Sequence, residues 1–420
     1  MTGAGRFSVR IRLQIVVLSV VALATLSATW QFSGAGGAYQ DAVREDVKRQ
    51  AALREDVRHV YADEAPDAFR AAAARIRTDA LRPLKDQGRL AASEYALAAQ
   101  TALQFRSRAR PGSLLGDDAY VHRELGYDIP HRLADLQKRS AELYALDPDA
   151  TLHDGDSWAL WGRVSVWVAF AAVLLAAAAA NVLRPVRWRH PPAPPPAPRV
   201  LRKPELLPQP ATAPAGDRRR TARFLLLLSA LLLALPFGQM VAACDEQRAQ
   251  AEAARRASGI SLGIAVSGQR TAFLTTSLQA AAAADLQSAA RLSAALETGS
   301  SPDAAHEQAV AAAETTAAGL MARTARYMGR PAEAADRVDP ATATALRTEP
   351  LEWRTMLTEQ QRQVDRAEVA GERGFRLAAA TALAVLAQLL VAAAVSAHRL
   401  RRPAAAAVLL SAGLTALALV

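Results

Sequence analysis

The chain has 420 residues, of which 51% are hydrophobic and 21% charged, room for two or three domains. Its single cysteine excludes an internal disulfide framework and any cysteine-based zinc site. A formal charge of +10 would suit a nucleic-acid partner, but the distribution of that charge along the chain argues against one.

Five runs nearly free of charge stand out: Leu13–Phe32, Val164–Leu183, Phe224–Ala243, Leu377–Ala397 and Ala404–Val420. Each is long enough for a helix to cross a hydrocarbon core ~30 Å thick. The segments between them sort by charge. Pieces 1–12, 184–223 and 398–403 hold 16 Lys/Arg against two acids, Glu205 and Asp217. Segments 38–157 and 244–373 hold 32 basic and 38 acidic residues. By the positive-inside rule the first set is cytoplasmic and the second extracytoplasmic. The positive charge then becomes a cytoplasmic collar of arginines on anionic lipid headgroups, and no nucleic acid is needed to explain it. Arginine outnumbers lysine 46 to four, a bias of GC-rich bacterial genomes, so the expected location is a bacterial cell membrane.

The expected fold class is therefore all-α: a polytopic membrane protein with about five transmembrane helices and two extracytoplasmic helical-bundle segments. In chain order the parts are a cytoplasmic N-terminus (1–12), a first span (13–32) and a first helical bundle (33–157). A second span (158–183), a Pro/Arg-rich cytoplasmic linker (184–223) and a third span (224–243) follow. A second helical segment (244–373), a fourth span (374–397), a basic turn (398–403) and a fifth span (404–420) complete it. Gly36-Gly37-Ala38 would also suit a cleavage site after a signal peptide, but the first apolar run exceeds the ~7 to 15 residues of an h-region, which favours an uncleaved anchor. The glycine-rich GAGGAYQ after it reads as a flexible membrane exit.

In the first exterior segment, Val43, Val47, Leu53, Val57 and Val60 recur near one helix face. Arg-Glu-Asp-Val occurs at 44–47 and again at 54–57; ten residues are about 80° short of whole helical turns, so the copies face differently. Pro66 starts a second helix over about 67–82, a third covers 89–109 up to Pro111-Gly112, and a fourth runs from 131 to 146. In the second segment, helix is expected from Asp245 to Glu297, from Asp303 to Met328, and again after Pro350 into the fourth span. Its stretch SLQAAAAADLQSAARLSAALE is rich in helix formers but buries little area per residue, so it needs close packing or a dimer.

Chemistry is sparse, and no enzyme, cofactor or metal is expected. His122, Glu124, Asp128 and His131 lie within ten residues, and Asp147, Asp149, Asp154 and Asp156 crowd one acidic turn. Neither has the spacing of a zinc or EF-hand site, so both read as structural or solvated. No phosphate loop, dinucleotide fingerprint or nucleophile elbow occurs. The spans carry no acid or base near their centres, which weighs against an ion-coupled carrier. Trp158, Trp161 and Trp167 read as interfacial anchors, Arg163 and Arg376 as snorkelling residues at span ends. Ala169, Ala172, Ala176 and Ala180 form a small-residue stripe for helix packing.

Cys244 ends the stretch RRRTARFLLLLSALLLALPFGQMVAAC, which has the form of a lipoprotein signal in mid-chain. Three readings stand: the close of an ordinary third span, a lipidation site after internal processing, or a thiol for an intermolecular disulfide.

A span, the exterior AYQDAVREDVKRQAALREDV, a second span and the basic exit LRPVRWRH together resemble the sensory half of bacterial chemoreceptors and sensor kinases. The second exterior, GISLGIAVSGQRTAFLTTSLQAAAAADLQSAARLS, is similar to the all-helical nitrate/nitrite-sensing type. The resemblance implies a ligand or partner outside and no turnover. No HAMP-like coiled coil or signalling domain follows span two or four, so output would pass to a separate signalling or envelope protein or stay within the membrane; a homo-oligomer is a further expected partner. A transport or envelope-assembly subunit is the alternative.

Overall fold

The computed structural model describes residues 3–122, 125–182, 215–297, 301–330, 343–344, 350–394, 408–413 and 415–416, and these are almost wholly helical. Most of the linker 184–223, the turn 398–403, the first residues of the fifth span, Glu124 and the side chains of Ala176 and Ala180 lie outside the description. The long helices are α1 (Gly3–Arg58), α2 (Ala65–Leu81), α3 (Arg89–Ser107), α4 (Ile129–Arg139), the short α5 (Ala141–Tyr144) and α6 (Pro148–Val182). They are followed by α7 (Ala215–Glu297), α8 (Pro302–Met328) and α9 (Pro350–Ala394). The starts and stops follow local chemistry. Ser301 caps α8 by accepting from the Ala304 N–H at 3.1 Å, and Asp128 caps α4 by accepting from His131 N–H at 3.1 Å. Pro66 supplies no N–H to the preceding turn, and a π-helical segment, His59–Glu64, sits just before it.

Two compact units emerge, and neither is a continuous piece of sequence. Unit 1 comprises Met1–Asp41, Asp149–Ala251 and Gln363–Val420; unit 2 comprises Ala42–Pro148 and Glu252–Arg362. Helices α1, α7 and α9 each contribute to both.

In unit 1 most buried residues are alanine, joined by a few larger side chains such as Leu235 and Leu377, and many large apolar residues face outward. Ala24, Ala28 and Ala35 of α1, Ala169 of α6 and Ala380, Ala384 and Ala387 of α9 are buried. Leu23, Leu26, Trp30, Trp161, Trp167, Leu175, Phe375 and Leu389 are 61% to 75% exposed. Two aromatic rings fix the approach of α1 and α6. Phe32 and Tyr39, seven residues apart, lie against Gly162 and Gly155, also seven apart; a Cβ on Gly155 would come within 2.5 Å of the Tyr39 ring. GAGGAYQ is thus no flexible exit: residues 34–37 are helical, Gly34 packs on Trp158, and a Cβ on Gly36 would meet Gln247 at 2.5 Å. Glycine is used there for close approach, a need that only the neighbouring helices create. Short polar links cross the unit: Ser165 donates to Gln31 at 2.9 Å, Gln239 to Thr381 at 2.7 Å, and Ser411 to the Ala380 carbonyl at 2.9 Å.

Unit 2 adds more large apolar side chains to its buried alanines. One core joins Leu53, Val57, Val60 and Tyr61 to Phe69, Ile129, Leu133, Val266, Phe273 and Met321. Where the sequence predicts two separate exterior bundles, the structure merges the segments into one. The alanine-rich α7 and α8 meet their need for a large apolar partner with side chains of the first segment. The Arg-Glu-Asp-Val copies do face differently, with Val57 fully buried and Val47 48% exposed. Val47 therefore leaves the inward face expected for it, and Ala42 takes a buried position on that helix. A two-residue hairpin, β1 (Val121–His122) against β2 (Gly126–Tyr127), is the one strand pair among the described residues, and the sequence pattern did not mark it. Gly126 has φ +103, and a Cβ there would come within 2.8 Å of the Thr324 methyl, so both backbone and space demand glycine.

Candidate functional site

The strongest candidate site is a cavity of about 650 Å³ within unit 2. One stripe of α2 forms a wall, with Pro66, Phe69, Arg70, Ala73, Ala74 and Arg77 recurring at intervals of three and one. Ala98, Thr101 and Phe105 of α3 and residues 269–280 of α7 form others, and Met321 of α8 closes part of the floor. Tyr61 and Ala62 enter from the π-helical segment. Alanines at 73, 74, 98, 272 and 280 leave the space that larger residues would fill. Aromatic rings border it: Phe273 lies 5.9 Å from Tyr61 and 6.4 Å from Phe69, centroid to centroid, the latter edge-on. Burial pushes the Tyr61 hydroxyl up to about 12, keeping it neutral.

Two ionic networks brace the helices of this unit. Arg77 bonds Glu94 at 2.6 Å and also Glu314, while Arg291 bonds Glu94 at 2.8 Å and Glu314 at 2.8 Å. Four helices are thereby tied by alternating charges. The second network is more deeply buried: Arg132 donates to both Glu64 oxygens, at 2.8 and 2.7 Å, and the Leu114 N–H adds a third bond at 2.9 Å. Burial pushes the Glu64 carboxyl up, but these bonds and the Arg132 charge outweigh it and hold it below the usual carboxylate range. Glu64 lies in the π-helical segment, so this anchor fixes the segment that enters the cavity.

A smaller cavity of about 390 Å³, also in unit 2, is floored by Gly259 and Gly263 and bordered by Arg49, Arg256, Tyr144 and Trp353. The Trp353 Nε1–H is buried with no acceptor among the described residues.

The residues singled out in the sequence lie elsewhere. Trp158, Trp161 and Trp167 are on the exposed side of α6, with Trp158 edge-on to Trp30 at 5.9 Å. Arg163 pairs with Asp245 at 2.5 Å and Arg376 with Glu372 at 2.6 Å, so both span-end arginines have carboxylate partners as well as length to snorkel. Cys244 is 4% exposed inside an unbroken helix, where burial pushes its thiol up, partly offset by a hydrogen bond with Tyr39. His122 faces the Tyr327 ring at 5.4 Å, His131 stacks edge-on to Tyr120, and Asp128 is a helix cap. Asp156 accepts from Tyr39 at 3.0 Å and pairs with Arg248 at 2.8 Å. Among the described residues no three His, Cys, Asp or Glu side chains are grouped to hold a metal.

The cavity residues went unnoticed in the sequence because each looks like ordinary helix. The one available signal was the amphipathic stripe of PDAFRAAAARIR, in which the inward positions alternate rings, alanines and arginines. No protein-family model, curated protein or solved structure matches the chain.

Proposed function

We propose that the protein is a multi-pass sensor component of the bacterial cell membrane, with about five spans and cytoplasmic arginine collars on anionic lipid. Its exterior helical unit takes up a small molecule, and it passes the signal to a separate protein without turnover of its own. The observation that carries the sensing role is the 650 Å³ cavity, since a scaffold alone needs a filled exterior. Membrane insertion is supported by two helical stretches, Ile15–Leu84 and Pro148–Leu175, each long and apolar enough to cross a bilayer. The outward leucines and tryptophans of unit 1 add to that support, because in water they would expose an apolar belt.

Reporter fusions after residues 100, 200, 300 and 420 test the topology: exterior, cytoplasmic, exterior and exterior are expected. A cytoplasmic residue 420 removes the fifth span. Thermal-shift screening of the full chain in detergent tests the sensing role. Hits are expected, and they should vanish in Ala280→Trp, which fills the cavity; a screen without such hits returns the protein to a scaffold.

A further inference from the structure

The lining of the 650 Å³ cavity is chemically lopsided. Arg70 and Arg77 are its two charged residues, and no Asp or Glu is among the residues that line it. They lie seven positions apart on α2, two helical turns or roughly 10 Å, on the same side, with Ala73 and Ala74 between them. Arg77 is held in place through its Nη2, which Glu94 and Glu314 share, and both of those carboxylates lie outside the lining. The Arg70 Nη1 meets Asp67 at 3.0 Å, a solvent-exposed pair that a ligand carboxylate can replace with little loss. The hydroxyls of Thr101 and Thr276 already donate to the carbonyls of Leu97 and Ala272, both at 2.8 Å. Gln269, whose Oε1 is buried with no donor among the described residues, and Ser277 add two polar groups, and the remaining surface is mainly rings and methyl groups.

Resting on the reading of this cavity as a ligand site, we propose that it takes an apolar organic acid: a flat or alicyclic hydrocarbon body with one carboxylate. The body lies on Ala73 and Ala74 against the rings of Phe69 and Phe273, and the carboxylate meets a guanidinium at one end of the α2 stripe. A guanidinium presents paired N–H groups that match two carboxylate oxygens, which gives orientation as well as charge. An amine finds no carboxylate among the lining residues, and the guanidiniums offer it only donors. Sugars and other highly hydroxylated molecules find too few polar partners. At about 650 Å³ the cavity admits two fused six-membered rings with room to spare, so the hydrocarbon body can be considerably larger than a naphthalene.

The test is calorimetry on the full chain in nanodiscs with three probes of one shape: 2-naphthoate, the neutral 2-naphthamide and the cationic 2-naphthylmethylamine. Naphthoate is expected to bind at least tenfold more tightly than naphthamide, and the amine not to bind. Arg70→Gln, at an exposed position, should weaken naphthoate at least threefold and leave naphthamide unchanged. Arg70→Gln combined with Arg77→Gln and Glu94→Gln, which removes one charge of each sign from the inner network, should bring the two probes to equal affinity. Equal affinities in the unaltered protein overturn the acid assignment while leaving the cavity a ligand site. Failure of all three to bind overturns it as well. Naphthoate binding that persists in Ala280→Trp lies elsewhere and overturns the cavity reading itself.

Discussion

Unit 1 and unit 2 share three long helices, α1, α7 and α9, yet their buried residues differ in emphasis. Unit 1 buries chiefly alanine, with a few larger side chains such as Tyr39, Leu235 and Leu377, and displays many leucines and tryptophans, whereas the unit 2 core is rich in leucine, valine, phenylalanine and tyrosine as well as alanine. Unit 1 joins its helices by hydroxyl and amide bonds such as Ser165 to Gln31 and by exposed pairs such as Arg163 with Asp245, and unit 2 by more deeply buried charge networks such as Glu64 with Arg132. On the proposed membrane insertion, one secondary structure would serve two solvents: in water the large apolar side chains gain by leaving their surroundings, and in lipid the groups that pack closely or pair a polar atom do.

The largest effect should come from the buried pair of unit 2. Arg132→Met strands the Glu64 carboxylate, and a loss of about 3 to 5 kcal/mol is expected, with much of it recovered in Glu64→Gln/Arg132→Met. Chemical denaturation followed by circular dichroism reads this directly. A pH titration sharpens it. The Glu64 pKa is lowered in the folded state, so its stabilisation is complete above the ordinary glutamate value of about 4.3 and is lost as pH falls through the lower folded value. Glu64→Gln should remove that part of the acid-induced loss; an unchanged acid limb would show that other carboxylates dominate.

Leucine truncation tests this difference. Leu133→Ala, in the unit 2 core, should cost about 2 to 5 kcal/mol, whereas Leu389→Ala, outward in unit 1, should stay within about 0.5 kcal/mol for the protein in bilayer. Equal costs would mean that both units see the same solvent. Overpacking gives an intermediate effect: Ala384→Leu adds bulk at a buried small-residue contact and should cost about 1 to 3 kcal/mol. The smallest change is expected from Ser165→Ala, about 0.6 kcal/mol, read as a small drop in the thermal midpoint in detergent.

Much of this was legible in the residues themselves. Helix ends near Pro66, Arg82-Pro83, Pro111-Gly112, the Gly-Ser-Ser-Pro turn and Pro350 could be placed because proline and capping side chains act within a few residues. The charge bias of the loops was equally readable. Less so was the cavity, since Arg70, Ala73 and Arg77 form a site only when α3 and α7 stand opposite α2. Cys244, the most conspicuous single residue of the sequence, proved to be a buried side chain in a continuous helix.

The amino-acid pattern by itself determined the all-helical class, the ends of the helices and the alternation of apolar runs with charged segments, because each depends on forces acting within a few turns of one helix. Tertiary structure alone decided that the two charged segments share one core, that Glu64 meets Arg132 sixty-eight residues away, and that glycines 155 and 162 make room for Tyr39 and Phe32. Those outcomes depend on which helix faces which. An alanine-rich helix packs tolerably against many partners, so its own sequence does not single out one.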